Sequence, residues 1–278
     1  RQQQHREFLA RLVGPAHLDE HLRQHEAVRN LLARGQSRRA AQALDRLVVA
    51  LLEETGAADQ LMGHRAVRLD GADGLGRLDR DIGRIMTLLK ELGLDGDTIV
   101  MFSSDNGSTF NGGTDSRFFN SAGPLRGLKC DLYDGGIRVP FIARWPGRIP
   151  AGSTSDHVSA FWDVLPTVAG IVGARAPDDT DGISMLPTLL GEGKQREHSH
   201  LYWEYRSRGG GQAVRMGRFK GLRLGLARTD DAPVELYDLV DDIGEKNDVG
   251  DENPALVERI LELMMTSRTA SEHFPLPR

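Results

Sequence analysis

The residues from Thr98 to Pro140 constrain this chain more than any other stretch. An apolar run, Thr98-Ile99-Val100-Met101-Phe102, passes through Ser103-Ser104 and stops at Asp105-Asn106-Gly107. A loop rich in Gly, Asn and Ser follows. Then comes Leu125-Arg126-Gly127-Leu128-Lys129-Cys130-Asp131-Leu132-Tyr133-Asp134-Gly135-Gly136-Ile137-Arg138-Val139-Pro140. The β-branched apolar run predicts a strand covered on both faces. Neighbouring strand side chains point to opposite faces, so Asp105 and Asn106 serve one point only if the strand ends there. Gly107 permits that sharp departure. A carboxylate oxygen beside an amide oxygen suits a hard cation such as Ca²⁺ or Mg²⁺, and two such ligands leave its shell incomplete. The same pair also makes an Asx-rich turn after a strand. Lys129, with Arg126 in a Gly-flanked segment, is a compact charge suited to an anionic oxygen, or an ordinary surface lysine. Arg138 is expected in a structural ion pair. Asn106-Gly107-Ser108 is formally a glycosylation sequon, but a strand-end Asn is a poor acceptor.

The flanking patterns say what holds this stretch. Leu78, Ile82, Ile85, Met86, Leu89 and Leu92 fall on one helical face, and Gly93 ends the helix. Helix, turn and apolar strand together predict part of an α/β sheet. Residues 63–76 are expected to form a loose connector. Their glycines do not match a dinucleotide loop, because no strand precedes them. Val139–Trp145 is a further strand candidate, placed by Pro140 near a strand start or sheet edge. Asp163 to Gly173 predicts a helix with Asp163 as N-cap, Pro166 in the first turn and Gly173 as the stop. A short helix follows near Leu186–Leu190. From His200 the pattern changes to four short strand candidates, around 201–205, 212–216, 219–224 and 234–239, which predict a small antiparallel sheet. Gly209-Gly210-Gly211 is expected at a flexible hairpin tip. Asn253-Pro254 then opens a helix with Leu256, Val257, Ile260, Leu261 and Met264 on one face, expected to pack on that sheet.

Residues 1 to about 65 look helical, as a hairpin divided at Gly35-Gln36-Ser37. His17, His21 and His25 recur at four-residue spacing there, either as a metal-binding face or as a solvated one. The domain organisation expected is a helical segment over 1–70, an α/β part over 71–198, and a small α+β subdomain over 199–278. Among 278 residues, 39% are hydrophobic and 27% charged, with formal net charge -5. That balance does not suggest a nucleic-acid partner. No apolar stretch is long enough to span a bilayer. One cysteine, Cys130, excludes an internal disulfide and a multi-Cys zinc site. The first residue is Arg and the start is polar, so no signal pattern is seen; either a leader has been removed or the chain is a piece of something longer.

Ser104-Asp105-Asn106-Gly107, followed by Leu125-Arg126-Gly127-x-Lys129 and Tyr133-Asp134-Gly135-Gly136-Ile137-Arg138-Val139-Pro140, resembles the second half of a sulfatase of the arylsulfatase type. The match continues through Trp145-Pro146-Gly147, Asp163-x-Leu165-Pro166-Thr167, Asp181-Gly182 and Glu235-Leu236-Tyr237-Asp238-Leu239, covering roughly Leu78 to the C-terminus. The resemblance implies a partial alkaline-phosphatase-like α/β sandwich with a small C-terminal antiparallel sheet plus helix. It implies sulfate-ester hydrolysis, with Asp105 and Asn106 as two ligands of an active-site Ca²⁺ and Lys129 on a sulfate oxygen. The substrate implied is a sulfated small molecule or carbohydrate, and the compartment periplasmic or extracellular. The family's nucleophile is a formylglycine made within C/S-x-P-x-R. No such motif occurs in this sequence, and residues 1–77 offer no match to the family's first metal-binding aspartates. Nor does the catalytic His and Lys pair that precedes the Ser-Asp-Asn-Gly block have a counterpart. Position 130 usually holds Gly or a basic residue, and position 134 usually Glu. The chain alone is therefore expected to be inactive. Two other readings are a non-catalytic relative that binds anionic or sulfated ligands, and a phosphoester hydrolase of the same superfamily.

Overall fold

The computed structural model describes residues 71–110, 115–206, 208–229, 231–273 and 275. The expected N-terminal helical segment and its three histidines lie outside the described residues. The chain divides into two compact units. One holds the residues up to Ser104 together with Pro140–His198; the other holds Asp105–Val139 and the chain from Ser199 onward.

In the first unit, α1 runs Gly71–Glu91. It reaches further upstream than the sequence suggests: Gly71, Gly74 and Gly76, expected in a connector, lie within it. Glycine disfavours helix, but packing of an amphipathic face outweighs propensity. That face is present, for Leu89 is buried against Val100, with Ile85, Met86, Leu88, Leu92 and Leu94 around them. Gly93 ends the helix at φ 64. A 3₁₀ turn, Asp95–Asp97, leads into β1, Val100–Ser103, and β2 is Phe141–Arg144. The two strands pair antiparallel, from Val100 opposite Arg144 to Ser103 opposite Phe141. Pro140 immediately precedes β2, and its carbonyl accepts the Ser103 hydroxyl at 2.8 Å. Arg144 closes the far end with a two-pronged bond to Asp95, at 2.7 and 2.9 Å. That guanidinium holds the Asp95 carboxyl below its ordinary value.

Helix α3 is Val164–Val172, with Gly173 at φ 67 as its stop. Asp163 does not cap it through its side chain. Its carboxylate is fully buried and instead accepts the Ala160 and Ile183 amides, at 2.8 and 2.7 Å, and faces the His198 ring at 2.9 Å. Thr167 donates to the Asp163 carbonyl at 2.6 Å and accepts the Met185 amide at 2.8 Å. A Cβ at Gly182 would stand 2.1 Å from the Trp162 carbonyl oxygen. Asp163, Thr167 and Gly182 thus join the two blocks beside α4, Leu186–Leu190, while Leu165 and Asp181 of the same blocks are exposed.

The second unit is built on a four-stranded antiparallel sheet: β3 Leu201–Tyr205, β4 Gly211–Met216, β5 Phe219–Leu224 and β6 Val234–Asp238, in that order. Gly211, expected at a hairpin tip, is paired within β4 opposite Tyr205 and Leu224. Its Cβ would press within 2.8 Å of Leu224. One face of the sheet carries α5, Pro254–Thr266, whose Ile260, Leu263 and Met264 are buried with Val214 and Leu236. Leu261, expected on the packed face, is exposed, and Leu263 takes that place. The other face buries Ala213, Leu222 and Tyr237 against Leu132. Leu132 belongs to the Arg126–Ile137 segment, so this face of the sheet is the seat of the stretch that carries Lys129.

Candidate functional site

Asp105, Asn106 and Lys129 all fall in the second unit. Asp105 is exposed; Asn106 and Lys129 are half-buried. Backbone hydrogen bonds join the two loops that bear them. The Gly107 amide donates to the Gly136 carbonyl at 2.9 Å, and the Lys129 amide to the Ser108 carbonyl at 2.7 Å. The structure therefore sets Lys129 on a loop fastened three residues past Asp105.

Three glycines make this fastening possible. A Cβ on Gly107 would lie 1.9 Å from the Gly135 carbonyl oxygen. On Gly135 it would lie 2.2 Å from that of Gly127, and on Gly136 2.2 Å from that of Asp131. Backbone packs directly on backbone at this knot, which explains Asp-Asn-Gly and Asp-Gly-Gly in the sequence. The short helix α2, Asp134–Ile137, starts here, with the Gly135 amide on the Arg126 carbonyl at 2.7 Å. Cys130 sits in the loop at φ 78, a left-handed conformation that glycine adopts freely.

Polar and aromatic groups of the sheet lock the same segment. Arg126 stacks on the Tyr133 ring at 3.8 Å and donates to the Tyr237 hydroxyl at 3.0 Å and the Glu245 carbonyl at 2.7 Å. It is a structural clamp, not a free basic group. Tyr133 and Tyr237 both donate to Glu235, at 2.6 and 2.8 Å. Burial, and then the Glu235 carboxylate, push the Tyr237 phenol up to about 12. Beneath them the Lys220 ammonium is wholly buried, 2.6 Å from Asp134 and 2.8 Å from Glu245. Glu245 also accepts the Asp134 amide at 2.7 Å. Burial pushes the Glu245 carboxyl up, against the pull of Lys220. Arg138 approaches Asp134 at 3.7 Å, as a structural partner.

Glu235 opens one of the blocks that carry the resemblance, but no role was read for it, nor for Lys220 or Glu245. The signal for Lys220 was available: it shares strand parity with Leu222 and Leu224, so it occupies an inward position where an apolar residue is expected. Glu245 gives no such signal, because it lies in a loop outside any periodic pattern.

The Asp105 carboxylate and the Asn106 amide oxygen are hard donors, and their chemistry fits Ca²⁺ or Mg²⁺. They fit as part of a shell. Among the described residues no group of three or more His, Cys, Asp or Glu side chains is arranged to hold a metal ion.

The sequence and the fold are similar to those of known proteins. The family model described as Sulfatase matches residues 37–174, and that described as N-sulphoglucosamine sulphohydrolase, C-terminal, matches residues 129–270. Arylsulfatase A of Homo sapiens is 36% identical over 210 residues, covering 67% of this chain and 40% of the relative. The crystal structure of Ps i-CgsB in complex with k-i-k-neocarrahexaose superposes with a TM-score of 0.60 at 27% identity, over 72% of this chain and 43% of that one. The structure of BT4656 in complex with its substrate D-glucosamine-2-N,6-O-disulfate gives 0.55 at 27% identity, over 68% and 37%. Against the curated relatives it matches, the chain spans 23% to 40% of their length. The fold is the alkaline-phosphatase-like α/β architecture, held here in part. The chain belongs to the sulfatase family.

Proposed function

We propose that this chain supplies the metal-binding strand end and the sulfate-binding lysine of a sulfate-ester hydrolase. The observation that carries the reading is the fastening of the Lys129 loop to the Asp105-Asn106 loop, inside a family whose known members act on sulfate esters. Asp105 and Asn106 would hold Ca²⁺ through two oxygens. That cation, when bound, supplies fixed positive charge beside the sulfate group. Lys129 brings a point charge to a sulfate oxygen and stabilises the leaving alcohol as the ester bond breaks. The backbone knot at Gly107, Gly135 and Gly136 keeps the two loops in register, so little reorganisation is needed on binding. The substrate class is a sulfated small molecule or carbohydrate, in line with the sulfated sugar bound by one structural neighbour. The setting proposed is periplasmic or extracellular; among the described residues no helix is long and apolar enough to cross a membrane.

The nucleophile proposed is a formylglycine, and the sequence contains no C/S-x-P-x-R from which to make it. The 278-residue chain alone is therefore expected to release no nitrophenol from nitrophenyl sulfate above the buffer rate. Turnover that disappears in Lys129→Ala would contradict this half-site reading. Turnover of nitrophenyl phosphate but not of the sulfate would favour a phosphoester hydrolase instead.

A further inference from the structure

Lys220 is fully buried on β5, and its two partners are buried acids from different parts of the unit: Asp134 at the start of α2 and Glu245 in the loop after β6. Stability alone does not explain such a triad. Apolar residues of similar volume usually serve a core as well or better than a buried ion pair. Glu245 is moreover held at φ 50, a left-handed conformation costly for a residue with a side chain. Three bonds hold it there: its carbonyl accepts Arg126, and its carboxylate meets Lys220 and the Asp134 amide. Two of the three, Arg126 and the Asp134 amide, belong to the segment that bears Lys129 and docks Gly107, and Lys220 reaches it through Asp134.

We propose that Lys220 is a positioning residue for the Asp105-Asn106 half-site, acting through Asp134 and Glu245. This deepens the sulfatase reading and rests on it for the meaning of that half-site. The path is short and made of observed contacts. The Lys220 ammonium fixes the Asp134 carboxylate. Asp134 begins α2, so its placement fixes Gly135 and Gly136. The Gly136 carbonyl then takes the Gly107 amide, one residue past Asn106. Leu132 anchors the same segment through apolar contact, which is non-directional; the triad supplies direction. Other charges around Lys220 are Arg138, Arg215 and Arg126. Arg215 is pushed down by burial, with Asp134 opposing. Glu235, bound by Tyr133 and Tyr237, stands on the neighbouring strand.

The test is amide hydrogen exchange on the full chain, with no substrate or cation present. In Lys220→Met the Gly107, Lys129 and Gly135 amides should exchange about tenfold faster, while amides of α5 such as Leu263 and Met264 change less than about twofold. The variant removes the cation nearest both buried carboxylates and leaves Arg138, 3.7 Å from Asp134, as the remaining ion-pair partner. Without the pull of Lys220, burial pushes the Glu245 carboxyl further up. Lowering the pH from about 8 to about 5 should then restore protection at Gly107, after correction for intrinsic rates. A simple packing defect would show no such recovery. Should Lys220→Met fail to fold, Asp134→Asn decides: it keeps the volume and is expected to loosen Gly107 several-fold without affecting α5. A parallel rise at every amide, or an unchanged Gly107, would overturn the proposal. Because no sulfate ester enters the experiment, it can fail while the sulfatase reading stands, and the converse also holds.

Discussion

On one face of the β3–β6 sheet, Val214 and Leu236 meet Ile260, Leu263 and Met264 of α5. On the other face, Ala213 and Leu222 share the surface with Lys220, Tyr237 and Arg215, and the partner is the Arg126–Ile137 segment. The first face is stabilised mainly by apolar area, with one fully buried amide, Gln212, donating to the Met264 carbonyl of α5 at 3.0 Å. The second adds directional contacts: Arg126 on Tyr133, two tyrosines on Glu235, and Lys220 between two acids. Apolar burial holds an element in place; charged and hydrogen-bonded contacts hold it in one register. The half-site lies on the side where register matters.

Two substitutions set side by side probe this contrast. Leu236→Ala empties a fully buried position on the α5 face and should cost about 2–5 kcal/mol in urea unfolding. It should leave the contact between Gly107 and Gly136 intact in the folded state. Gly135→Ala, whose Cβ would press on backbone atoms of Arg126 and Gly127, should cost about 1–3 kcal/mol and break that contact. If Leu236→Ala loosened Gly107 as much as Gly135→Ala, the two faces would not be independent.

Legibility in the sequence followed the same division. The α5 face was readable, because apolar residues at helical spacing opposite alternating strands leave few arrangements; only Leu261 and Leu263 changed places. The four strands and α3 were readable for the same reason. The site side was readable as residue types, Asp105, Asn106 and Lys129, and not as geometry. Nothing in local pattern says that Gly107 must lie under Gly135, since that contact joins backbones nearly thirty residues apart. Asp163 was expected to cap α3 and instead binds two amides and His198, because a buried carboxylate is satisfied by whichever donors the fold brings to it. Gly71 to Gly76 misled in the other direction: their composition signals a connector, and packing of the α1 face overrides it.

A smaller effect is read by pH; Tyr202 on the α5 face is pushed up by burial as well, so the site face is followed through Tyr237. Tyr237 is pushed up to about 12 in the folded unit, whereas an unfolded tyrosine loses its proton near pH 10. Between those values the folded state holds a proton that the unfolded chain has released. The corresponding stability is present below about pH 10 and is lost as pH rises toward 12. Tyr237→Phe should lower stability at neutral pH and flatten part of this alkaline fall. An unchanged slope between pH 10 and 12 would show that Tyr237 does not carry it.

The smallest change concerns Cys130 at φ 78. Glycine removes the left-handed penalty of about 1–2 kcal/mol, offset by its greater freedom when unfolded, so Cys130→Gly should stabilise by about 0.5 kcal/mol. Cys130→Val should destabilise. Equal midpoints for both variants would mean the loop relaxes freely and does not hold Lys129 in a fixed conformation.

The central claim is that Asp105 and Asn106 form part of a cation shell which the chain's described residues do not complete. Calorimetric titration of the 278-residue chain with Ca²⁺ tests it most directly. The expected result is binding weaker than about 1 mM, or no heat. Micromolar binding that is lost in Asp105→Ala would contradict the claim, because it requires a complete set of oxygen ligands within this chain.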